Sequence, residues 1–324
     1  MMSRRLSSLA ISVLLIFPLL GTEYDAFKQE GPFILVNVLD RRGKPVVDLS
    51  KENFQVRCNG KNTTVLDAHY SVAPRRIVVL FDMSGSMAGN DSSKWQIANE
   101  ALSDLLTITT TDVPIALVTF SDGVHIISGF EQGRRAITEW INQKKTKDVA
   151  QKRTALFDAM ATAVHLLDPP RAGDTIYAIT DGGDNASHVS ARMTREGLLA
   201  SGIRLFAFVL AEPNQGPEYE GMSSLVQLAT DTGGFIFGVT ATSLSPGLPS
   251  YGPSARYEYN DRVRDTIKSS TYLLNLRVHG FYVLRFGNSL SRKTNKIKAD
   301  ILGATGSPRK DVSFTYTRVI LPAR

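Results

Sequence analysis

Five apolar residues, Ile77-Val78-Val79-Leu80-Phe81, run without a polar interruption and stop at Asp82. Two hydroxyls follow around a glycine, in Met83-Ser84-Gly85-Ser86-Met87. A run of this kind suits a strand covered on both faces, as in a parallel sheet flanked by helices. Asp82, Ser84 and Ser86 then fall in the loop at the strand's carboxyl end, where open α/β sheets place their ligands. One carboxylate and two hydroxyls are hard oxygen donors, suited to Mg²⁺, Mn²⁺ or Ca²⁺.

The rest of the middle of the chain repeats this arrangement. Strands are expected at Ile77–Phe81, Pro114–Phe120, Val124–Ile127, Thr175–Thr180, Arg204–Leu210 and Gly234–Gly238. Helical patterns separate them at Lys94–Thr107, Arg134–Gln143, Ala155–Leu167, Thr194–Ser201 and Ser223–Thr232. The first carries Ile97, Ala98, Ala101, Leu102, Leu105 and Leu106 at helical spacing. The alternation predicts an α/β fold: a doubly wound, mainly parallel sheet with helices on both faces. Val124–Ile127 follows Ser121-Asp122-Gly123 too closely for a helical crossover and reads as an antiparallel edge strand.

Both flanks read as small β units. Residues 32–73 offer a strand at Phe33–Leu39, a second at Phe54–Cys58 and an Asn59-Gly60 hairpin turn. So short a segment cannot bury a large core alone, and it is expected to pack on the main domain or on the C-terminal strands. The main domain spans 74–240, and a Ser/Pro/Gly-rich linker spans 241–256. Residues 257–324 carry a helix over Tyr257–Lys268, then strands at Thr271–Val278, Tyr282–Phe286, Lys296–Ile301 and Val312–Val319.

The bulk numbers exclude several function classes. With 43% hydrophobic residues, the 324-residue chain can build a sizeable core. Its net charge of +6 falls to +4 without the leader arginines Arg4 and Arg5, and it is scattered, which argues against nucleic acid as a partner. One cysteine, Cys58, excludes an intramolecular disulfide and any multi-cysteine zinc site. Arg4-Arg5 followed by the apolar stretch Leu9–Leu20 has the form of a secretory signal over residues 1–21. The stretch is shorter than the roughly 20 apolar residues of a membrane span. No second hydrophobic span follows, so no stable membrane span is expected after cleavage. The expected location is the periplasm, the cell envelope or the exterior.

Two further segments join the opening one. Arg153-Thr154-Ala155 begins a helical pattern and offers a hydroxyl. Ile179-Thr180-Asp181-Gly182-Gly183-Asp184-Asn185 ends another apolar strand with a carboxylate and a glycine turn. Asp82-x-Ser84-x-Ser86, Thr154 and Asp181, in this order on an α/β pattern, resemble the metal-ion-dependent adhesion site of von Willebrand factor A domains. The resemblance covers residues 74–240. The flanking elements Asp48-Leu49-Ser50, Asn53-Phe54 and Tyr282-Val283-Leu284-Arg285 resemble a bacterial family of exported proteins related to it.

The resemblance implies a role for each residue. Ser84 and Ser86 ligate a divalent cation, most naturally Mg²⁺, and Thr154 does so directly or through water. Asp82 and Asp181 act through water or by orienting the hydroxyls. The ion then takes an Asp or Glu side chain from a protein partner, with Met87, Arg153 and Asp184 at the rim. Where the family often has glycines before the threonine, this chain has Lys152-Arg153, which brings bulk and positive charge to that rim. Asp184 and Asn185 also have the character of turn or capping residues, and Asp158 that of a residue steadying the first turn of its helix.

An enzyme needs a base or a nucleophile. The five histidines, His69, His125, His165, His188 and His279, show no metal-helix spacing, and only His188 lies near a proposed metal loop. No phosphate-binding glycine loop or G-x-S-x-G elbow occurs. The expected function is therefore a non-enzymatic, exported, metal-dependent binding module. An envelope scaffold with a dispensable metal site is the alternative, and a metal-dependent hydrolase is the remaining one.

Overall fold

The computed structural model describes residues 32–73, 75–88, 93–143, 153–211, 217–240, 259–287 and 294–321. The signal over 1–21, the linker over 241–256 and Lys152 lie outside them.

The strands, in chain order, are β1 (Phe33–Asp40), β2 (Phe54–Cys58), β3 (Lys61–Thr63), β4 (Val65–Ser71), β5 (Ile77–Asp82), β6 (Ile115–Phe120), β7 (Val124–Ser128), β8 (Thr175–Thr180), β9 (Arg204–Ala211), β10 (Ile236–Thr240), β11 (Phe281–Phe286), β12 (Asn295–Ile301), β13 (Val312–Tyr316) and β14 (Val319–Ile320). The helices are α1 (Gly85–Ala88), α2 (Ser93–Ile108), α3 (Gly133–Gln143), α4 (Leu156–Leu166), α5 (Ala191–Ser201), α6 (Pro217–Thr232) and α7 (Asp261–His279).

The central sheet has the order β10-β9-β8-β5-β6-β7. All its pairs are parallel except β6 with β7, the expected antiparallel edge. Side chains alternate across β5, so two cores form. Ile77, Val79 and Phe81 face α2, α3 and α7, with Phe81 edge-on to Trp95 and Trp140. Val78 and Leu80 face α4, α5 and α6. The expected doubly wound α/β architecture is therefore present.

The C-terminal segment differs from expectation. Residues Thr271–Val278 are not a strand but the second half of α7. Val263, Ile267, Thr271, Leu274 and Val278 are all buried, at spacings of three and four residues that only a helix brings to one face. The β-branched and aromatic run Thr271-Tyr272 mimics a strand locally, and the longer period overrides it. Packed with α2 on one face of the sheet, α7 extends the central unit past residue 240.

The two flanks are one body rather than two. β13-β1-β11-β4 forms one sheet and β14-β12-β2-β3 another. Ile34, Val36, Tyr282, Leu284 and Phe286 from the first meet Phe54, Val56, Ile297, Ala299 and Ile301 from the second in a shared core. Both ends of the chain thus build a single β-sandwich. It sits under the amino ends of the central strands. Asn37 of β1 donates to the carbonyls of Arg277 (2.9 Å) and Gly280 (2.5 Å), and its Oδ1 accepts from Arg204, the first residue of β9, at 3.1 Å. Gly173, just before β8, has φ +89°, and a Cβ there would lie 2.4 Å from the Phe281 ring. Only glycine allows this approach.

Candidate metal centre

The opposite, carboxyl edge of the sheet gathers the segments that the sequence singled out. Asp82 ends β5 and is completely buried. Its Oδ1 accepts the Ser84 amide at 2.8 Å, which tightens the turn, and its Oδ2 accepts the Thr180 hydroxyl of β8 at 2.6 Å. Thr180 Oγ1 accepts in turn from the Gly182 amide at 3.0 Å, where φ is +95°. One carboxylate therefore fixes both loops. Ser84 and Ser86 bring their Oγ atoms within 3.1 Å of each other.

The Thr154 segment is tied in from two sides. Ala155 donates to the Ser121 carbonyl at 2.7 Å. The Thr154 amide donates to Asn185 Oδ1 at 2.9 Å, while the Asn185 and Ala186 amides donate to the Thr154 carbonyl. Thr154 is 4% exposed. The amino end of α4 leaves amides without helical acceptors. Asp184 Oδ2 accepts from the Phe157 amide at 3.0 Å, and Ser187 Oγ accepts from the Asp158 amide at 3.1 Å. Asp158 returns the contact by accepting from the amides of His188 and Val189.

Asp181 follows β8 directly and is 3% exposed. Its Oδ2 lies 3.4 Å from Nζ of Lys94, itself 4% exposed, in the first turn of α2. Its Oδ1 is buried without a hydrogen-bond partner among the described residues. Burial and, second, the charge of Asp181 push the Asp82 carboxyl up to about 7, against the lowering effect of its bonds from Ser84 and Thr180.

The five expected ligand residues, Asp82, Ser84, Ser86, Thr154 and Asp181, thus lie on loops that the hydrogen bonds join at one edge. Two rim assignments are corrected. Met87 is fully buried in the core beside Trp95, because the turn of α1 that keeps Ser86 partly exposed rotates the next residue inward. Asp184 is half-buried and caps α4, so it positions the loop rather than facing outward. Arg153 is exposed. Sequence reasoning missed Lys94, which reads as an ordinary polar helix start. It also gave no role to Thr180, although the Thr-Asp-Gly turn was in view.

The donor set fits a divalent cation on the chain's own evidence. Two buried carboxylates repel each other, one of their oxygens has no donor, and two hydroxyl oxygens converge beside them. Hard oxygen donors with uncompensated negative charge are what Mg²⁺ or Mn²⁺ takes.

The sequence profile of the von Willebrand factor type A domain matches residues 77–183. No curated protein matches the chain significantly. Among solved structures, the chain is similar to a von Willebrand factor type A protein from Catenulispora acidiphila, at 11% identity and TM-score 0.47, over 91% of this chain and 75% of that one. It is similar to the human COPII-coat protein Sec24c at 9% identity and TM-score 0.45, over 78% of this chain and 46% of that one. A further similarity is to proximal thread matrix protein 1 from the mussel byssus, with a zinc-occupied metal-ion-dependent adhesion site, at 19% identity and TM-score 0.45, over 68% and 49%. The chain therefore spans about half the length of the last two. The profile match falls on the strands and loops that hold Asp82, Ser84, Ser86, Thr154 and Asp181, and it identifies residues 77–183 as a von Willebrand factor type A domain.

Proposed function

We propose that this chain is an exported protein-binding module whose carboxyl-edge loops hold a divalent cation, Mg²⁺ in the first place and Mn²⁺ or Ca²⁺ as alternatives. The observation that carries this reading is the buried Asp82–Asp181 pair, with Asp181 Oδ1 lacking a donor among the described residues, beside the converging serine hydroxyls. When bound, the cation would offer an open coordination position to an acidic side chain. Ser84, Ser86 and Thr154 supply neutral oxygens, which leave such an ion only partly neutralised. Asp82 orients the serine turn through the Ser84 amide, and Asp181 supplies negative charge from the facing loop. Arg153 stands exposed beside Thr154 and adds a guanidinium for the same acidic partner. A binding module, not an enzyme, is the role that von Willebrand factor A domains generally have.

Export rests on the basic-then-apolar form of residues 1–21. Among the described residues no helix is long and apolar enough to cross a membrane.

The test is affinity capture from an envelope fraction with Mg²⁺ and with EDTA, using the Ser84→Ala/Ser86→Ala double variant as control. Partners should be retained in Mg²⁺ and lost in EDTA and with the double variant. Capture that survives both EDTA and Asp82→Ala would sink the metal-bridge reading. That result would favour the scaffold alternative, for which the sandwich offers exposed Val47, Leu66 and Val72 as contact residues.

A further inference from the structure

Lys94 is a costly residue where it stands. An ammonium that is 4% exposed loses nearly all its hydration. It also lies in the first turn of α2, at the helix end whose free amides already carry positive charge. A neighbouring acceptor that compensates for this is the Asp181 carboxylate, 3.4 Å from Nζ. Asp181 is not a distant surface acid. It belongs to the same cluster as Asp82, close enough for the two charges to act on each other. Two carboxylates and one ammonium therefore share one buried volume, and the second Asp181 oxygen still lacks a donor among the described residues.

Such a cluster can be neutralised in two ways. Lys94 supplies one positive charge from inside the chain, and a divalent ion supplies two from solution. Both compete for Asp181. A divalent ion and an ammonium cannot share one carboxylate in a dry site without strong mutual repulsion. We infer that Lys94 is a tethered cation that holds Asp181 when no divalent ion is bound and must withdraw when one binds, so that it sets the cation affinity of the site. The inference rests on the divalent reading of the carboxyl edge and adds its regulation. The site is then tuned weak: it fills only when the cation concentration is high enough to displace the lysine.

The experiment is Mn²⁺ titration followed by electron paramagnetic resonance, on the full mature chain in about 0.15 M salt, where long-range screening is physiological. Wild type is compared with Lys94→Met and Lys94→Gln. The glutamine variant keeps a neutral donor toward Asp181, in case the methionine variant does not fold. Both variants should bind Mn²⁺ at least about tenfold more tightly than wild type, the effect of removing one competing buried charge. Adding Ser84→Ala/Ser86→Ala to Lys94→Gln should abolish that gain. Equal or weaker Mn²⁺ binding in the variants than in wild type would overturn the inference and leave the divalent site standing. No Mn²⁺ binding at millimolar concentration by any of the three proteins would overturn both.

Discussion

The two edges of the central sheet both bury charge, and they handle it differently. At the amino edge most of the charges are guanidinium groups, with the Asp174 carboxylate among them. Arg204 donates to the Arg277 and Gly173 carbonyls and to Asn37, and lies 4.5 Å from the Phe281 ring centre. Arg76 forms a fork on Asp174, at 2.5 and 3.2 Å, and reaches the Leu167 and Pro169 carbonyls. Arg75 and Arg277 lie over Phe281 and Phe235. At the carboxyl edge the charges are carboxylates, and their donors are fewer: an amide and a hydroxyl for Asp82, a lysine for one oxygen of Asp181. Orphan atoms occur at both edges. Arg204 Nε has no acceptor among the described residues, but its group is delocalised, keeps other bonds and rests on aromatic faces. Asp181 Oδ1 has no donor among the described residues, and its group keeps Lys94 at 3.4 Å with no aromatic face beneath it in the described contacts. Buried charge alone is therefore a poor marker of function. What distinguishes the carboxyl edge is negative charge left incompletely matched beside convergent neutral oxygens.

If the amino edge is a structural lock, breaking it should produce the largest stability loss. Arg204→Met takes the donor from Asn37 Oδ1 and one of two donors from each of the Arg277 and Gly173 carbonyls beneath the sandwich. We expect a loss of about 3–5 kcal/mol in urea unfolding, the range for removing one partner of a buried charged network. A loss under about 1 kcal/mol would show that the lock is not Arg204 and would weaken the contrast.

At the carboxyl edge the same measurement should give a small number. The Asp82 carboxyl, raised to about 7 in the folded chain, holds its proton more tightly there than in the unfolded chain. Stability from this group is therefore highest below the unfolded value near 4 and falls as pH rises to about 7. Asp82→Asn removes that fall and keeps polar atoms facing the Ser84 amide and the Thr180 hydroxyl. In EDTA at neutral pH the variant should lie within about 1 kcal/mol of wild type, and Mg²⁺ should no longer raise its melting temperature. A large loss in EDTA would place Asp82 among the structural charges and erase the difference between the edges.

The contrast also explains which parts were legible beforehand. The strands of the central sheet announce themselves because each is a short apolar run with its meaning contained in five or six residues. Asp82, Ser84 and Ser86 are legible for the same reason, since one turn holds them. Of the sandwich, only the packing of residues 32–73 on the C-terminal strands was legible, as one of two expected partners; its pairings were not, because β1 and β11 pair residues as far apart as Phe33 and Arg285, and no local pattern encodes a partner at that distance. Lys94 was hidden because a lysine opening a helix is usually solvated, and only the fold carries it to Asp181. Met87, given a rim place with the resemblance, lies in the core instead: a helical turn of about 100° per residue separates it from Ser86.

The smallest expected effect tests the amino edge by pH. His279 ends α7 and is half-buried. Burial lowers its pKa; Asp112 opposes that and Arg134 adds to it. Its Nε2 is buried without a hydrogen-bond partner among the described residues, an environment that disfavours a second proton. A histidine with a folded value below the unfolded 6.5 stays neutral in the fold while the unfolded chain takes up a proton. Stability is then full above 6.5 and declines as pH falls from there toward the folded value. This is opposite in sign to Asp82, whose contribution declines as pH rises over much of the same range. In thermal unfolding between pH 5 and 7 without divalent ions, His279→Asn should flatten the rise with pH and Asp82→Asn should flatten the fall. Because solvent screens a half-buried ring, the His279 effect should be a fraction of that at Arg204. If His279→Asn leaves the profile unchanged while Asp82→Asn alters it, the amino edge carries no titrating group that matters to folding in this range. The pH dependence of the chain would then belong to the carboxyl edge alone.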